Sequence, residues 1–546
     1  MGQSFLQFKI PFSMQIFPRL RQSNYLFFFG LCLLVAGLPV SLFLTSLSQF
    51  FIAGSFFLEG DLSTKIKRYI SNRSALLLTG IWLLHVAGLL WTTDIQEGLK
   101  DIRIKLPLLI LPLVMSGSAP LSTKQFRFIL YLFVFSVFSG SLVSIAVLNG
   151  LIPTKAPIYD IREIFILGVS HIRFALFTCL AVIVVGWLMY TREQKTFGSK
   201  LLLSALMLWL SIFLFIIESI TGISILIICG LLFLWYNVIR HQSKWLRFAS
   251  AVLVIAIPLS LFFYLKNFVQ TYSPAPPQEL DFTKKTNRGN AYFFDTTNTQ
   301  VENGYRVYAY VCEYEMREEW NKRSSIPFDS LDQRKQPVKS TLIRFLASKG
   351  ETKDGDAVLR LSDEEVHSIE RGIANVYYEH ISSIKSRLLQ ILWEYHEYMR
   401  GGDPSGHSVT QRLEFWRAAA AIIADHPWTG VGTGDMPEAY GEEYQKMNTQ
   451  LMQKYRLRAH NQYLAIAVAF GIPALIYFLF TLFYPIRKAL RNQNILFISF
   501  WVIAFFSMFT EDTLETQAGA TFVALFWSLF LFSSDAAEIE DVKNQF

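Results

Sequence analysis

Long, almost unbroken apolar runs recur along this chain, and nothing else in it restricts the possible folds so tightly. Short soluble-core elements alternate or repeat with helical period, whereas here 52% of 546 residues are hydrophobic and 15% aromatic, gathered into continuous stretches. Such stretches require a bilayer. A hydrocarbon core of about 30 Å, crossed at about 1.5 Å per residue, asks for about 20 apolar residues per helix. That length fits near 24–58, 75–91, 105–117, 126–148, 168–190, 201–218, 221–238 and 248–265, and again near 460–484, 495–510 and 517–532. The first run is too long for one straight span and holds Pro39, so it reads as a tight helix pair. The fold class expected is all-α and polytopic, with about twelve spans.

Basic residues orient the spans, because short cytoplasmic loops are enriched in Lys and Arg. With Lys9, Arg19 and Arg21 inside, alternate loops carry Lys65 to Arg73, Lys124 and Arg127, Arg192 and Lys195, Arg240 to Arg247, and Arg487 to Arg491. Both termini then face the cytoplasm and residues 266–458 face outward. Reading 24–58 as a single helix would put Lys65 to Arg73 on the wrong side. No small-residue cleavage site follows the first run, which reads as a retained anchor. The expected organisation is a membrane bundle of about nine helices over 1–265, an exported loop domain over 266–458, about three helices over 459–535, and a cytoplasmic tail over 536–546. The net charge of +7 follows from the basic loops and calls for no nucleic-acid partner. Cys32, Cys179 and Cys229 lie in apolar runs, so Cys312 has no disulfide partner within the loop.

Within the loop, 273–340 shows little periodicity beyond a helix over Val307–Asn321. From Ser362 a capping-box pattern opens a long amphipathic helix that runs to Gly401-Gly402. A second helix is expected from Val409 to Asp425, stopped by Pro427. Gly430-Val431-Gly432-Thr433-Gly434-Asp435 follows a helix rather than a strand and lacks a phosphate-loop Lys, so it reads first as a tight turn between helices. His367, His380 and His396 have no metal-ligand spacing, and His407 and His426 read equally as bonded structural residues.

His460 stands where the longest polar stretch re-enters an apolar run, in Arg458-Ala459-His460-Asn461-Gln462. An ionisable group there is costly without a partner or a function, so it either bonds a neighbour such as Asn461 or does chemistry. Arg412 either pairs with Glu414 or binds an anion. Arg173, with His171 beside it at the outer end of a span, either snorkels or faces a wet interior.

The string Arg412-Leu413-Glu414-Phe415-Trp416, His426-Pro427-Trp428, Gly430 to Asp435, and His460-Asn461 ahead of Gly471 resembles the signature of the O-antigen ligase and polymerase superfamily. The layout, with one large outward loop just before the histidine helix, is similar too. The resemblance implies a GT-C-like membrane glycosyltransferase of the bacterial inner membrane, its large loop periplasmic. The implied partners are an undecaprenyl-diphosphate-linked glycan donor, a lipid A-core or other glycan or protein acceptor, and membrane lipids, with no metal and no cofactor. A diphosphate is a good leaving group, so the chemistry needs a base for the acceptor hydroxyl more than an acid. The resemblance assigns that base to His460 and the diphosphate to Arg412; Arg173, a charge deep in an apolar segment, is the second candidate for the diphosphate, with His171 and Asn461 as supporting candidates, and Asp435 either orients His460 or caps its turn. Ile220 stands where many members carry an arginine, so either Arg173, Arg103 or Lys105 replaces it or the protein handles a different donor; Arg103 and Lys105 also read as ordinary flanking charges of a short span. Ligation to lipid A-core is the first expectation, ahead of repeat-unit polymerisation and protein glycosylation. A transporter would show midplane charges and an internal repeat, and neither is present.

Overall fold

The computed structural model describes residues 25–154, 164–165, 168–190, 196–240, 243–273, 280–298, 300–378 and 383–532. Lys9, Arg19, Arg21, Arg192, Lys195, His380 and the tail 536–546 lie outside them. The described chain is mostly helical; its one paired-strand element joins Val301–Glu302 to Tyr305–Arg306. It is a membrane protein. Among the described residues seven helices are long and apolar enough to cross a bilayer, or up to eight if a bent pair, Leu42–Leu58 with Leu62–Ser71, counts as one. Tyr25–Gly37, Ile495–Ser507 and Gln517–Phe532 are apolar but shorter.

The first apolar run folds as two helices, Tyr25–Gly37 and Leu42–Leu58, with Pro39 in the turn and Ser41 capping the Leu44 N–H at 3.3 Å. The run near 105–117 becomes Pro107–Gly117, an 11-residue helix. At about 1.5 Å per residue it reaches only about half the hydrocarbon thickness.

Two compact units emerge, one of Met1–Cys229, Ala418–Glu443 and Arg458–Phe546, the other of Gly230–Arg417 and Tyr444–Leu457. In the first, helix Gln517–Phe532 is apolar all round and buried from Ala518 to Phe530, as a central helix must be. Its rings pack edge-on with neighbours: Phe133 with Phe526 at 4.7 Å and Phe497 with Trp527 at 5.3 Å.

The second unit holds an apolar core of its own, around Trp320, Phe328, Leu342, Phe345 and Ile369. Two sequence expectations change here. The helix expected over Val307–Asn321 starts only at Glu313, because Val307 and Val311 donate their N–H groups to Gln300 and Phe293. The long helix expected from 362 to 400 is broken. It opens with the Ser362–Glu365 capping box and runs Asp363–Glu370, then stops at Gly372, whose φ of +81° suits a left-handed cap. Gly372 N–H reaches Ile369 O and Ile373 N–H reaches Ser368 O, both at 2.9 Å, the paired bonds of a Schellman ending. Helix resumes over Ser383–Met399 and ends at Gly401, while the helix expected over 409–425 spans Ser408–Asp425.

Candidate active site around His460

Helix Gln462–Phe483 carries the site at its N-terminus and a break in its middle. Pro473 has no N–H, and Gly471 adopts φ +79°, so the helical ladder fails there. Ile472 N–H turns instead to Pro427 O at 2.8 Å. The carbonyls of Val468 and Ala469, left without helical donors, receive Val431 N–H and Gly432 N–H at 2.9 Å each. The glycine-rich string therefore repairs a broken membrane helix, which apolar surroundings make obligatory. Only glycine allows so close an approach: a Cβ on Gly471 would lie 2.5 Å from the Trp428 carbonyl carbon, and one on Gly430 2.3 Å from that of Ala469. The string is a helix-packing turn, as its lack of phosphate-loop chemistry suggested.

Asp435 continues this seam. Its carboxylate accepts Thr92 Oγ1–H at 2.8 Å and the N–H groups of Thr93 and Asp94, both at 2.8 Å. Against the cost of partial burial, the Asp94 and Thr93 N–H groups and the Thr92 hydroxyl hold the carboxyl below its usual range. Its oxygens thus anchor the start of helix Ile95–Ile104 rather than orient His460.

At the N-terminus of the broken helix, Asn461 is the cap, accepting Tyr463 N–H at 3.0 Å and Leu464 N–H at 3.1 Å and donating Nδ2–H to Phe509 O at 3.1 Å. The preceding residue, His460, adopts φ +46°, an uncommon conformation for a residue with a side chain. His460 is one-third exposed, and its Nδ1 faces Asp512 Oδ1 at 3.5 Å while Asp512 is buried.

Beneath this pair lies a chain of charges, buried except for the partly exposed Arg458. Arg458 Nε is 3.7 Å from Asp512 Oδ2, and its Nη1 is 3.1 Å from Glu515 Oε2. Glu515 also accepts Lys105 Nζ at 2.7 Å and Gln462 Nε2 at 3.2 Å. Lys105, 0% exposed, bonds Asp101 as well, and His85 Nε2 lies 3.8 Å from Asp101. Burial disfavours the charge on both carboxylates, but Lys105 and Arg458 overcome it at Glu515 and hold that group far below its usual range. Asp101 goes the other way: burial, and then the Glu515 charge, push it up to about 6.

Of the residues expected from sequence, His460, Asn461 and Lys105 come together in this network, and Asp435 anchors the helix that leads into Lys105. Arg103 is exposed and makes no ion pair among the described residues. Arg173 donates Nη1–H to Ser170 Oγ at 3.0 Å at the start of helix His171–Tyr190, and among the described residues it has no ion pair. His171 lies 6.4 Å from the Phe165 ring. Ile220 opens helix Ile220–Arg240 beside the Ser219–Gly222 turn, where Ser219 Oγ accepts Gly222 N–H at 3.1 Å. Arg412 belongs to the second unit and donates Nη1–H to Ser408 O at 3.3 Å, while the carboxylate of Glu414 takes Arg417 at 2.7 Å.

Sequence reasoning missed Asp512 and Glu515. Their signal is the polar turn Glu511-Asp512-Thr513-Leu514-Glu515 between the last two apolar runs, too acidic for a plain connector. His460, Glu511 and Asp512 place ligand atoms within 4.8 Å of one another, a spacing open to a cation. The Arg458 guanidinium already sets a positive charge against Asp512 there, so we read the histidine–aspartate contact as an orienting one.

Residues 369–479, from the end of helix Asp363–Glu370 to beyond the Gly471 break, match the family model described as O-Antigen ligase. No curated protein matches the chain.

Proposed function

The chain carries a domain of the O-antigen ligase family, and from that premise we propose an inner-membrane glycosyltransferase that moves a glycan from undecaprenyl diphosphate to an acceptor hydroxyl at the periplasmic face. The proposal includes about twelve spans, cytoplasmic termini and a periplasmic 266–458 loop, with lipid A-core oligosaccharide as the acceptor. The observation that carries it is His460, held at a left-handed φ within the matched segment with its Nδ1 3.5 Å from an oxygen of buried Asp512.

A carboxylate on Nδ1 selects the tautomer with the proton there and leaves the Nε2 lone pair as base. The acceptor oxygen attacks the anomeric carbon as its proton passes to Nε2. The bond from that carbon to the diphosphate oxygen breaks, and undecaprenyl diphosphate leaves with the electron pair. In-line attack inverts the anomeric centre. Arg412 and Arg173, as permanently charged planar forks, hold the diphosphate, with His171 beside it. Lys105 is committed to Glu515 and Asp101, so it sustains the network under His460 rather than replacing the arginine absent at Ile220. Arg103, exposed, serves as a flanking charge.

The test is transfer by the purified chain from an undecaprenyl-diphosphate glycan to lipid A-core. H460A and R412A are expected to abolish or strongly reduce it. Full activity in both variants would defeat the mechanism, and a lengthened lipid-linked glycan as sole product would replace ligase with polymerase.

A further inference from the structure

The second unit contains a cleft open to solvent, whose walls include Tyr272, Tyr377, Trp393, His396, Glu397 and Arg400. No step of the transfer described above uses these residues. Tyr272 and Tyr377 meet edge to face, their centroids 5.1 Å apart and planes at 86°, and the Tyr272 ring is already met by Phe268 and Lys385 Nζ, each at 4.9 Å. Trp393 is fixed in place, donating Nε1–H to Val301 O at 3.2 Å with the Arg344 guanidinium 5.4 Å over its ring. At the base, the amides of Asn303 and Asn375 bond each other at 3.1 and 3.3 Å.

The remaining polar groups have only long contacts. Glu397 Oε1 is 3.4 Å from Val301 N and 3.6 Å from Arg400 Nη1, and His396 Nε2 is 3.4 Å from Ser273 Oγ. These groups keep hydrogen-bonding capacity for a ligand. Its class follows by charge. A diphosphate would meet the Glu397 carboxylate. An ammonium would meet Arg400 and also Lys385, whose Nζ already sits 4.9 Å over the Tyr272 ring. A purely apolar molecule would bury Glu397 and Arg400 with only their long contact to each other and the Val301 N–H. A neutral pyranose satisfies all of them, with a C–H face for the Tyr377 ring and a rim of hydroxyls that donate to carboxylate and accept from guanidinium.

We propose that this cleft is a glycan subsite, binding a neutral sugar residue of the acceptor or donor between the Tyr377 ring on one side and Glu397 and Arg400 on the other, with Tyr272 and Trp393 as the walls that hold these groups in place. Its part in catalysis rests on the function proposed above; its binding of sugar does not.

The experiment is calorimetric binding to the full chain in detergent, with two probes: core oligosaccharide released from lipid A, and a repeat-unit oligosaccharide without diphosphate. Whichever binds identifies the source of the sugar. Tyr377 is 37% exposed, so Y377A is expected to keep the fold, checked by thermal unfolding. Y377A and E397Q are each expected to weaken binding about tenfold, whereas H460A binds as wild type. In transfer assays Y377A raises KM for the glycan and leaves kcat unchanged. Wild-type binding by both Y377A and E397Q overturns the subsite, as does binding of tetramethylammonium or pyrophosphate, but neither oligosaccharide, in a Tyr377-dependent way. Tyr377-dependent binding without any transfer by the wild type leaves the subsite standing and removes the transferase; transfer with an unchanged KM in Y377A does the reverse.

Discussion

The two units bury charge differently. In the second unit the apolar core around Trp320 and Phe345 is flanked by buried carboxylates, Glu302 and Glu319, each met by a partly exposed arginine, Arg344 or Arg288, while Arg317–Asp329 and Lys322–Glu318 sit at the surface. Near His460 both members of a pair are buried: Lys105 and Glu515 are 0% and 1% exposed, and buried Asp512 and Asp101, with the partly exposed Arg458, continue the chain of charge. Surface pairs contribute about 0–1 kcal/mol each, but breaking a buried pair costs about 3–5 kcal/mol because the orphaned charge stays buried. A network so costly to disturb is a poor source of mere stabilisation, since apolar residues of like volume serve as well or better. What it supplies is position: Glu515 fixes Gln462, Arg458 and Lys105 together, and Arg458 passes that order to Asp512 and thence to His460.

The comparison breaks first at Glu515. E515Q removes the charge that faces Lys105 and Arg458, and unfolding in detergent is expected to show a loss of about 3–5 kcal/mol. D101N is expected to cost far less, because Asp101 takes a proton readily. Its folded pKa of about 6 lies above its ordinary value. A raised carboxyl contributes stability that is present at low pH and lost as pH rises through the folded value. Wild type should therefore lose stability relative to D101N between about pH 4 and pH 6, and a flat difference would deny the asymmetry of the two carboxylates.

G471A is expected to lose somewhat less than E515Q and more than D101N. A Cβ there meets the Trp428 carbonyl carbon at 2.5 Å in a left-handed backbone, costing about 2–4 kcal/mol, with the 427–434 seam released to hydrogen exchange. The smallest effect belongs to the loop surface. R317A should change stability by less than about 1 kcal/mol, and a loss like that of E515Q would erase the contrast between the units.

How much of this was legible in the sequence depends on the range of the interaction. Local signals carried well: Pro39 divided the first run, Ser362 and Glu365 formed their capping box, and Asn461 stood at a helix entry. Failures came where a local pattern met a competing constraint. The apolar spacing of 362–400 is helical on both sides of Gly372, and only the left-handed cap reveals the break. Asp512 and Glu515 are over fifty residues from His460 and read as a short outer turn; their meeting depends on how the last helices pack. The glycine string was recognisable as a turn, but its role in supplying N–H groups to Val468 and Ala469 shows only once Gly471 and Pro473 are seen to break the facing helix.

The central claim, a histidine base set by a buried carboxylate, is tested most directly by the rate of glycan transfer for wild type, H460A and D512N from about pH 5 to pH 9. H460A should fall by about 10²–10⁴-fold, and D512N by about 10–100-fold. An H460A variant that transfers at the wild-type rate across that range would contradict the account.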